Sequence, residues 1–107
     1  MCIITTFTVL AARIIDDYPK NLLNRLPKGV EYEIQRFYFE TAHASKAPAL
    51  DAMKDVVPVS QILFGSDATI RPYDLTIEGL DEYRGFSPKD WQAINRGNAE
   101  RLFPRLG

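Results

Sequence analysis

Residues 61–67 (QILFGSD) end in a carboxylate placed just beyond a short apolar run. The apolar centre indicates a short buried strand, Gly65 breaks it, and Asp67 follows its carboxyl end. In α/β proteins, ligands and metal ions bind beyond that end of parallel strands. The pattern alone leaves two interpretations open. Asp67 is either a site carboxylate or part of a polar exit from the strand, with glycine as the turn former.

Two other side chains are candidate substrate-binding residues. His43 follows a second predicted strand, where it either faces the same rim as Asp67 or is a polar loop residue. Arg71 lies in the loop after Asp67, where its guanidinium either steers a carboxylate substrate or is a solvated loop charge. His43 is the only histidine, so chemistry that needs two histidines cannot be completed by this polypeptide alone. The single cysteine, Cys2, has no partner for an internal disulfide or a zinc cluster.

A strand–helix–strand unit is predicted to position these residues. Residues 36–42 (RFYFETA) form a continuous aromatic run, typical of a strand covered on both faces. Ser45 is the predicted N-cap of the following helix, with Pro48 in its first turn and Pro58 ending it. Apolar residues recur at helical spacing between them: Ala49, Leu50, Met53, Val56 and Val57. Because residues 61–64 then form the next strand, the order predicts two adjacent parallel strands with a right-handed connection.

The flanking segments give further predictions. Residues 1–7 suit a strand or a frayed lead-in, residues 9–26 suit two helical pieces around Pro19, and 27–29 end them. After Asp67 the chain is predicted to be irregular until Thr76 caps a short helix. Ser87, with Pro88 next and an acid three residues later, predicts a stronger helix start. That helix is expected to continue to residue 104, with a kink at Gly97.

The composition narrows the class of protein. A chain of 107 residues is one domain at most, and 46% hydrophobic with 25% charged residues is ordinary for a soluble protein. A net charge of −1 gives no basic footprint for nucleic acid. No window reaches the about 18 apolar residues that span a bilayer, and the apolar N-terminus lacks the basic lead of a signal peptide. We therefore expect a cytoplasmic protein with no nucleic-acid or membrane partner.

Four segments together resemble a known family. They are residues 36–42 (RFYFETA), 47–52 (APALDA), 57–67 (VPVSQILFGSD) and 93–106 (AINRGNAERLFPRL). In order and spacing they are similar to the last quarter of metal-dependent amidohydrolase-related enzymes. The most similar branch is the aminocarboxymuconate-semialdehyde decarboxylase-like group, with its salicylate- and resorcylate-type decarboxylases. The resemblance covers residues 9–106.

The resemblance implies an α/β fold made of the C-terminal βα units of a TIM barrel. Residues 37–41 would be strand seven, residues 62–64 strand eight, and the GNAERLF segment part of the closing helices. In that family a divalent metal, usually zinc, is held by an HxH pair, a further histidine and the Asp after strand eight. Asp67 matches that Asp, which is both a metal ligand and the group that moves a proton.

The chain also departs from the family pattern. It contains no HxH pair. A complete barrel takes roughly 250 residues, so residues 1–107 are expected to be a single partial domain, a C-terminal fragment. An aromatic–proline pair that often follows the Asp is replaced by Ala68-Thr69-Ile70, and the usual acid of strand seven is Glu40 rather than Asp. These departures affect the expected substrate contacts rather than the position of Asp67.

Two functional hypotheses follow. The resemblance implies a parent enzyme that decarboxylates (a carboxy-lyase) or hydrolyses a small carboxylated, often aromatic, substrate, with Asp67 as metal ligand and proton shuttle. The isolated chain is then expected to be inactive and not to hold the metal alone. The alternative is a non-catalytic small α/β protein that acts through self-association or a complementing chain, which would cover its exposed strand edges.

Overall fold

A computed structural model describes residues 24–70 and 72–105. The predicted strand at residues 1–7, most of the predicted helical pieces over 9–26, and Arg71 lie outside this part of the chain. The described elements follow in the order α1 (Val30–Ile34), β1 (Phe39–Glu40), α2 (Ala47–Val56), β2 (Ile62–Leu63), α3 (Tyr73–Glu82), α4 (Pro88–Gln92) and α5 (Asn98–Leu102). A 3₁₀ turn at Val59–Gln61 precedes β2, and a π-helical segment, Ala93–Gly97, joins α4 to α5.

Strands β1 and β2 form a parallel pair, as the strand–helix–strand order predicts. Phe39 lies opposite Ile62, and Glu40 lies opposite Leu63. The Thr41 amide extends the pairing by donating to the Leu63 carbonyl at 3.1 Å. Because the strands are parallel, their carboxyl ends lie at the same edge of the sheet, and the loops that carry His43 and Asp67 start there.

The first strand is much shorter than predicted. Residues 36–42 were expected to be covered on both faces, but Phe37 is 64% exposed and Tyr38 is 42% exposed. The amides of Arg36 and Phe37 bond back to the carbonyls of Glu33 and Ile34, which keeps this stretch in a turn. The aromatic run therefore enters the sheet only at Phe39. Its continuous apolar pattern predicts a longer strand than the structure has.

Helix α2 begins at Ala47 and has Pro48 in its first turn, as predicted. The prediction that Ser45 caps it is wrong, because Lys46 occupies the N-cap position and makes no side-chain cap. Ser45 is 1% exposed, and its hydroxyl has no partner among the described residues. Helix α3 packs closely on it, since a Cβ added to Gly79 would lie 2.6 Å from the Ser45 carbonyl oxygen.

Helix α3 starts at Tyr73, directly after Pro72, which has an extended-type φ of −54° and ψ of 127°. The prediction of a cap at Thr76 is therefore wrong. Thr76 lies inside the helix and is fully buried, with no hydrogen-bond partner for its hydroxyl within the described segments. Its burial in the interior of the protein, rather than a capping role, accounts for its position.

The C-terminal helical region contains the predicted capping box. The Ser87 hydroxyl accepts from the Asp90 amide at 3.1 Å, and the Asp90 carboxylate accepts from the Ser87 amide at 2.9 Å. The Ser87 amide, together with the Ser87 hydroxyl, which donates to the same carboxylate oxygen at 2.8 Å, holds the pKa of Asp90 below its usual value. The predicted change near Gly97 takes the form of the π-helical segment, after which the helix runs on to Leu102.

The hydrophobic core lies between the sheet and the helices. Leu50, Met53, Ile62 and Ile94 are its largest fully buried apolar side chains. The Phe64 amide donates to the Ile94 carbonyl at 3.0 Å, which attaches the outer side of β2 to the π-helical segment. Within residues 24–70 and 72–105, no helix is long and apolar enough to cross a membrane.

Candidate functional site

The structure brings His43 and Asp67 into direct contact. His43 Nε2 lies 2.8 Å from Asp67 Oδ2, across 24 residues of sequence. Each residue follows one of the two parallel strands, and the side chains are about one-third exposed, at 32% and 34%. The pair therefore lies at the carboxyl edge of the sheet and remains accessible to a small molecule.

Both residues have a left-handed backbone conformation. His43 has φ of 56° and Asp67 has φ of 52°, and they are the only non-glycine residues with positive φ in the described chain. This region costs an L-residue roughly 1–2 kcal/mol, although His and Asp tolerate it better than most residue types. Strained backbone of this kind clusters at functional sites. Its occurrence at both members of one side-chain pair supports a specific role for the pair.

Thr41 and Gly65 hold the two loops together beneath the pair. The Thr41 hydroxyl donates to the Gly65 carbonyl at 2.9 Å and accepts from the Gly65 amide at 3.1 Å. Thr41 is fully buried, so these bonds are shielded from water. Since His43 lies two residues after Thr41, and Asp67 two residues after Gly65, this contact sets the register at which the two side chains meet.

The Glu40 side chain also lies at this carboxyl edge of the sheet, beside Gly65. Its Oε2 accepts a hydrogen bond from the Ala42 amide at 3.3 Å. A Cβ atom at Gly65 would overlap this oxygen and would lie 2.7 Å from Glu40 Cδ. Any other side chain at position 65 would therefore have to displace the Glu40 carboxyl group from the space that it occupies.

The pair has a defined acid–base chemistry. An ionised carboxylate only accepts hydrogen bonds, so a neutral His43 donates through Nε2–H to Asp67. The second oxygen of Asp67, Oδ1, accepts no hydrogen bond from the described residues and remains available to an ion or a substrate proton. The arrangement orients the carboxylate through its contact with the imidazole.

The pair by itself fits only part of a metal site. A catalytic zinc has three protein ligands. Within the described segments, no group of three or more His, Cys, Asp or Glu side chains could hold a metal ion. Asp67 supplies one donor of the right chemistry, and the His43 Nε2 proton is directed at its carboxylate, so the implied divalent metal needs at least two further ligands. Arg71, the other predicted substrate contact, lies outside these residues as well.

Asn98 is a positioning residue that sequence analysis missed. It is fully buried, and its Nδ2 donates to the carbonyls of Val59 and Ile62, both at 2.7 Å. Its Oδ1 accepts from Arg101 Nη2 at 2.6 Å. These bonds fix the start of β2, which leads to Asp67. The signal for this role was an asparagine inside the predicted helix, in the GNAERLF segment, because asparagine is a poor residue for a helix interior.

No protein-family model, curated protein or solved structure matches this chain. The class of protein is therefore supported by the site itself. It consists of a His–Asp pair at the carboxyl edge of two parallel strands that are joined by a helix.

Proposed function

We propose that this chain is the C-terminal βα part of an amidohydrolase-related TIM-barrel enzyme and that Asp67, oriented by His43, is one ligand of its metal centre. The observation that carries the proposal is the 2.8 Å contact between these side chains at the carboxyl edge of two parallel strands. The proposed parent activity is metal-dependent decarboxylation or hydrolysis of a small carboxylated, often aromatic, substrate. The motif order from residue 36 to residue 106 supports this class.

Each residue of the pair has a role in the proposal. Asp67 would hold the ion through Oδ1 and would move a proton through Oδ2, the oxygen that His43 contacts. His43 holds the carboxylate in the orientation observed and keeps a proton at Nε2 beside it. A bound divalent ion supplies Lewis-acid charge at this edge of the sheet. The remaining ligands come from a complementing chain, so the isolated chain has weak metal affinity and no catalytic activity.

A zinc titration followed by NMR tests the metal-binding part. Because His43 is the only histidine, its ring signals report on this site without assignment ambiguity. The expected result is weak binding that shifts the His43 signals and is lost in Asp67→Asn. Asp74→Asn is the matched control, since Asp74 is an exposed acid on α3. The proposal would be contradicted if zinc left the His43 signals unchanged. It would also be contradicted if zinc binding were lost equally in Asp67→Asn and Asp74→Asn.

The second candidate function is non-catalytic self-association. It is favoured by the exposed aromatic side chains of Phe37 and Tyr38, at 64% and 42%, directly before β1. Among the described residues β1 pairs only with β2, and an unpaired strand edge beside exposed aromatic residues is prone to pair with another chain. Sedimentation at increasing concentration distinguishes the candidates. Self-association that Phe37→Ser abolishes and Asp67→Asn leaves unchanged, without zinc binding, supports this second function.

A further inference from the structure

A cavity that neither His43 nor Asp67 lines is found between α3 and the C-terminal helical region. Its volume is about 320 Å³, near the lower end of the roughly 300–1,000 Å³ typical of small-ligand sites. The apolar part of its lining is formed by Phe64, Ile77, Leu80 and Trp91. This surface suits a compact apolar group, either aliphatic or aromatic.

The rim of the cavity carries one acid, one guanidinium and one amide. These are Asp81, Arg84 and Asn95, and all three residues are exposed. Arg84 Nη1 donates to the main-chain oxygen of Asp81 at 2.9 Å, which holds the guanidinium at the rim. The Asp81 carboxylate and the Arg84 guanidinium form no ion pair with each other or with any other described residue. Both charges are therefore available to a ligand.

The π-helical segment contributes to the same cavity. Asn95 lies in the middle of Ala93–Gly97, and the segment directly follows the helix that carries Trp91. Single π-helical turns are frequently found at functional sites. Here the segment brings the Asn95 side chain to the rim while its neighbour Ile94 stays in the core.

We propose that this cavity binds a free apolar α-amino acid. The ammonium group meets Asp81, the carboxylate meets Arg84 and the Asn95 amide, and the side chain packs on the apolar lining. A ligand with one charge would satisfy only one of the two rim groups, and a ligand without an apolar body would leave the floor in contact with water. The volume admits a side chain as large as that of phenylalanine. The proposal does not depend on the metal centre.

Tryptophan fluorescence gives a direct assay, because Trp91 is the only tryptophan and lines the cavity. The probes are L-phenylalanine, 3-phenylpropionate, which lacks the ammonium group, and phenethylamine, which lacks the carboxylate. L-Phenylalanine is expected to give a saturable change with an affinity on the order of 1 mM. Each analogue is expected to bind about threefold to fivefold more weakly, the effect of one solvated ion pair.

Two variants assign each charge to its partner. In Asp81→Asn, removing the ammonium group should cost nothing further, so L-phenylalanine and 3-phenylpropionate bind equally. In Arg84→Gln, the same equality should hold between L-phenylalanine and phenethylamine. Glu82→Gln and Arg105→Gln are the matched controls, since both residues are exposed and neither lines the cavity. They should bind like the wild type.

The proposal is overturned if the wild-type protein gives no saturable change, or if both analogues bind it as tightly as L-phenylalanine. It is also overturned if the control variants lose as much affinity as Asp81→Asn and Arg84→Gln. The comparison of ligands on the wild-type protein stands even where a variant is poorly folded, and circular dichroism identifies such a variant.

Discussion

Replacing Gly65 by alanine is expected to destabilise the edge that carries the His43–Asp67 pair. The new Cβ atom would overlap Glu40 Oε2 and would lie 2.7 Å from Glu40 Cδ. The Glu40 carboxylate cannot move away freely, because it accepts the hydrogen bond from the Ala42 amide. Overpacking costs about 1–3 kcal/mol, and losing one hydrogen bond costs about 1 kcal/mol. Together these costs are about 2–4 kcal/mol, and we expect the low end, about 2 kcal/mol, because the overlapping atoms are the far end of a flexible side chain.

The same substitution should be nearly harmless once Glu40 is shortened. In Glu40→Ala, the nearest remaining neighbour of the new Cβ is the Cβ of residue 40, at 3.2 Å, which needs a shift of a few tenths of an ångström. Gly65 does not have positive φ, so alanine is compatible with its backbone. Alanine also lowers the entropy of the unfolded chain, which is worth about 0.4–1 kcal/mol. The cost of Gly65→Ala should then fall below about 1 kcal/mol.

Urea denaturation of four proteins measures this coupling: the wild type, Gly65→Ala, Glu40→Ala and the double variant. The expected coupling energy is at least about 1 kcal/mol, with similar dependence on urea concentration in all four. The His43 ring signals should move in Gly65→Ala and return towards their wild-type position in the double variant. Additive free energies, within about 0.5 kcal/mol, would refute the steric argument for glycine at this position.

Three other predictions follow from buried or capping groups. Asn98→Ala should cost about 2–4 kcal/mol, because the buried Ile62 carbonyl and the partly buried Val59 carbonyl lose their donor; a loss below about 1 kcal/mol by urea denaturation would contradict this. Burial, followed by the hydrogen bond to Asp51, raises the pKa of Tyr83 to about 12. Stability should therefore fall as pH rises from about 10, the ordinary tyrosine pKa, through the folded-state value. Tyr83→Phe should remove this loss of stability at alkaline pH. In an absorbance titration the variant should show one fewer tyrosine that titrates late. Ser87→Ala should cost about 1 kcal/mol and return the depressed pKa of Asp90 towards its ordinary value. Stability that the wild type loses on acidification through that pKa should be smaller in this variant, and an unchanged Asp90 titration by NMR would contradict the capping-box assignment.

The sequence was most informative where structure depends on neighbours along the chain. The capping box at Ser87 was predictable because both of its hydrogen bonds join residues three apart. The parallel pairing of β1 and β2 was predictable because a helix of this length between two strands favours it. The start of α3 was not predicted, because the helix begins at Tyr73, directly after Pro72, and not at Thr76. Thr76 lies inside the helix, where its side chain is buried.

The length of β1 was decided by its partner. A run of three aromatic residues predicts a buried strand, yet only Phe39 enters the sheet. Strand β2 offers two paired residues, since the 3₁₀ turn Val59–Gln61 occupies the chain before it. A strand forms only where a neighbour accepts its hydrogen bonds, and the sequence of one strand contains no information about the length of the next.

For the candidate site, the sequence by itself determined the chemistry of its members and the end of the sheet at which they lie. It identified Asp67 as a carboxylate after a strand. It left open whether His43 faces the same rim as Asp67 or is a polar loop residue. Only the tertiary structure decided that the two meet, at 2.8 Å, with both backbones in the left-handed region. The physical reason is that the contact depends on the Thr41–Gly65 hydrogen bonds and on the space that Glu40 occupies. Those interactions join residues more than 20 positions apart, and they exist only once the two strands have paired.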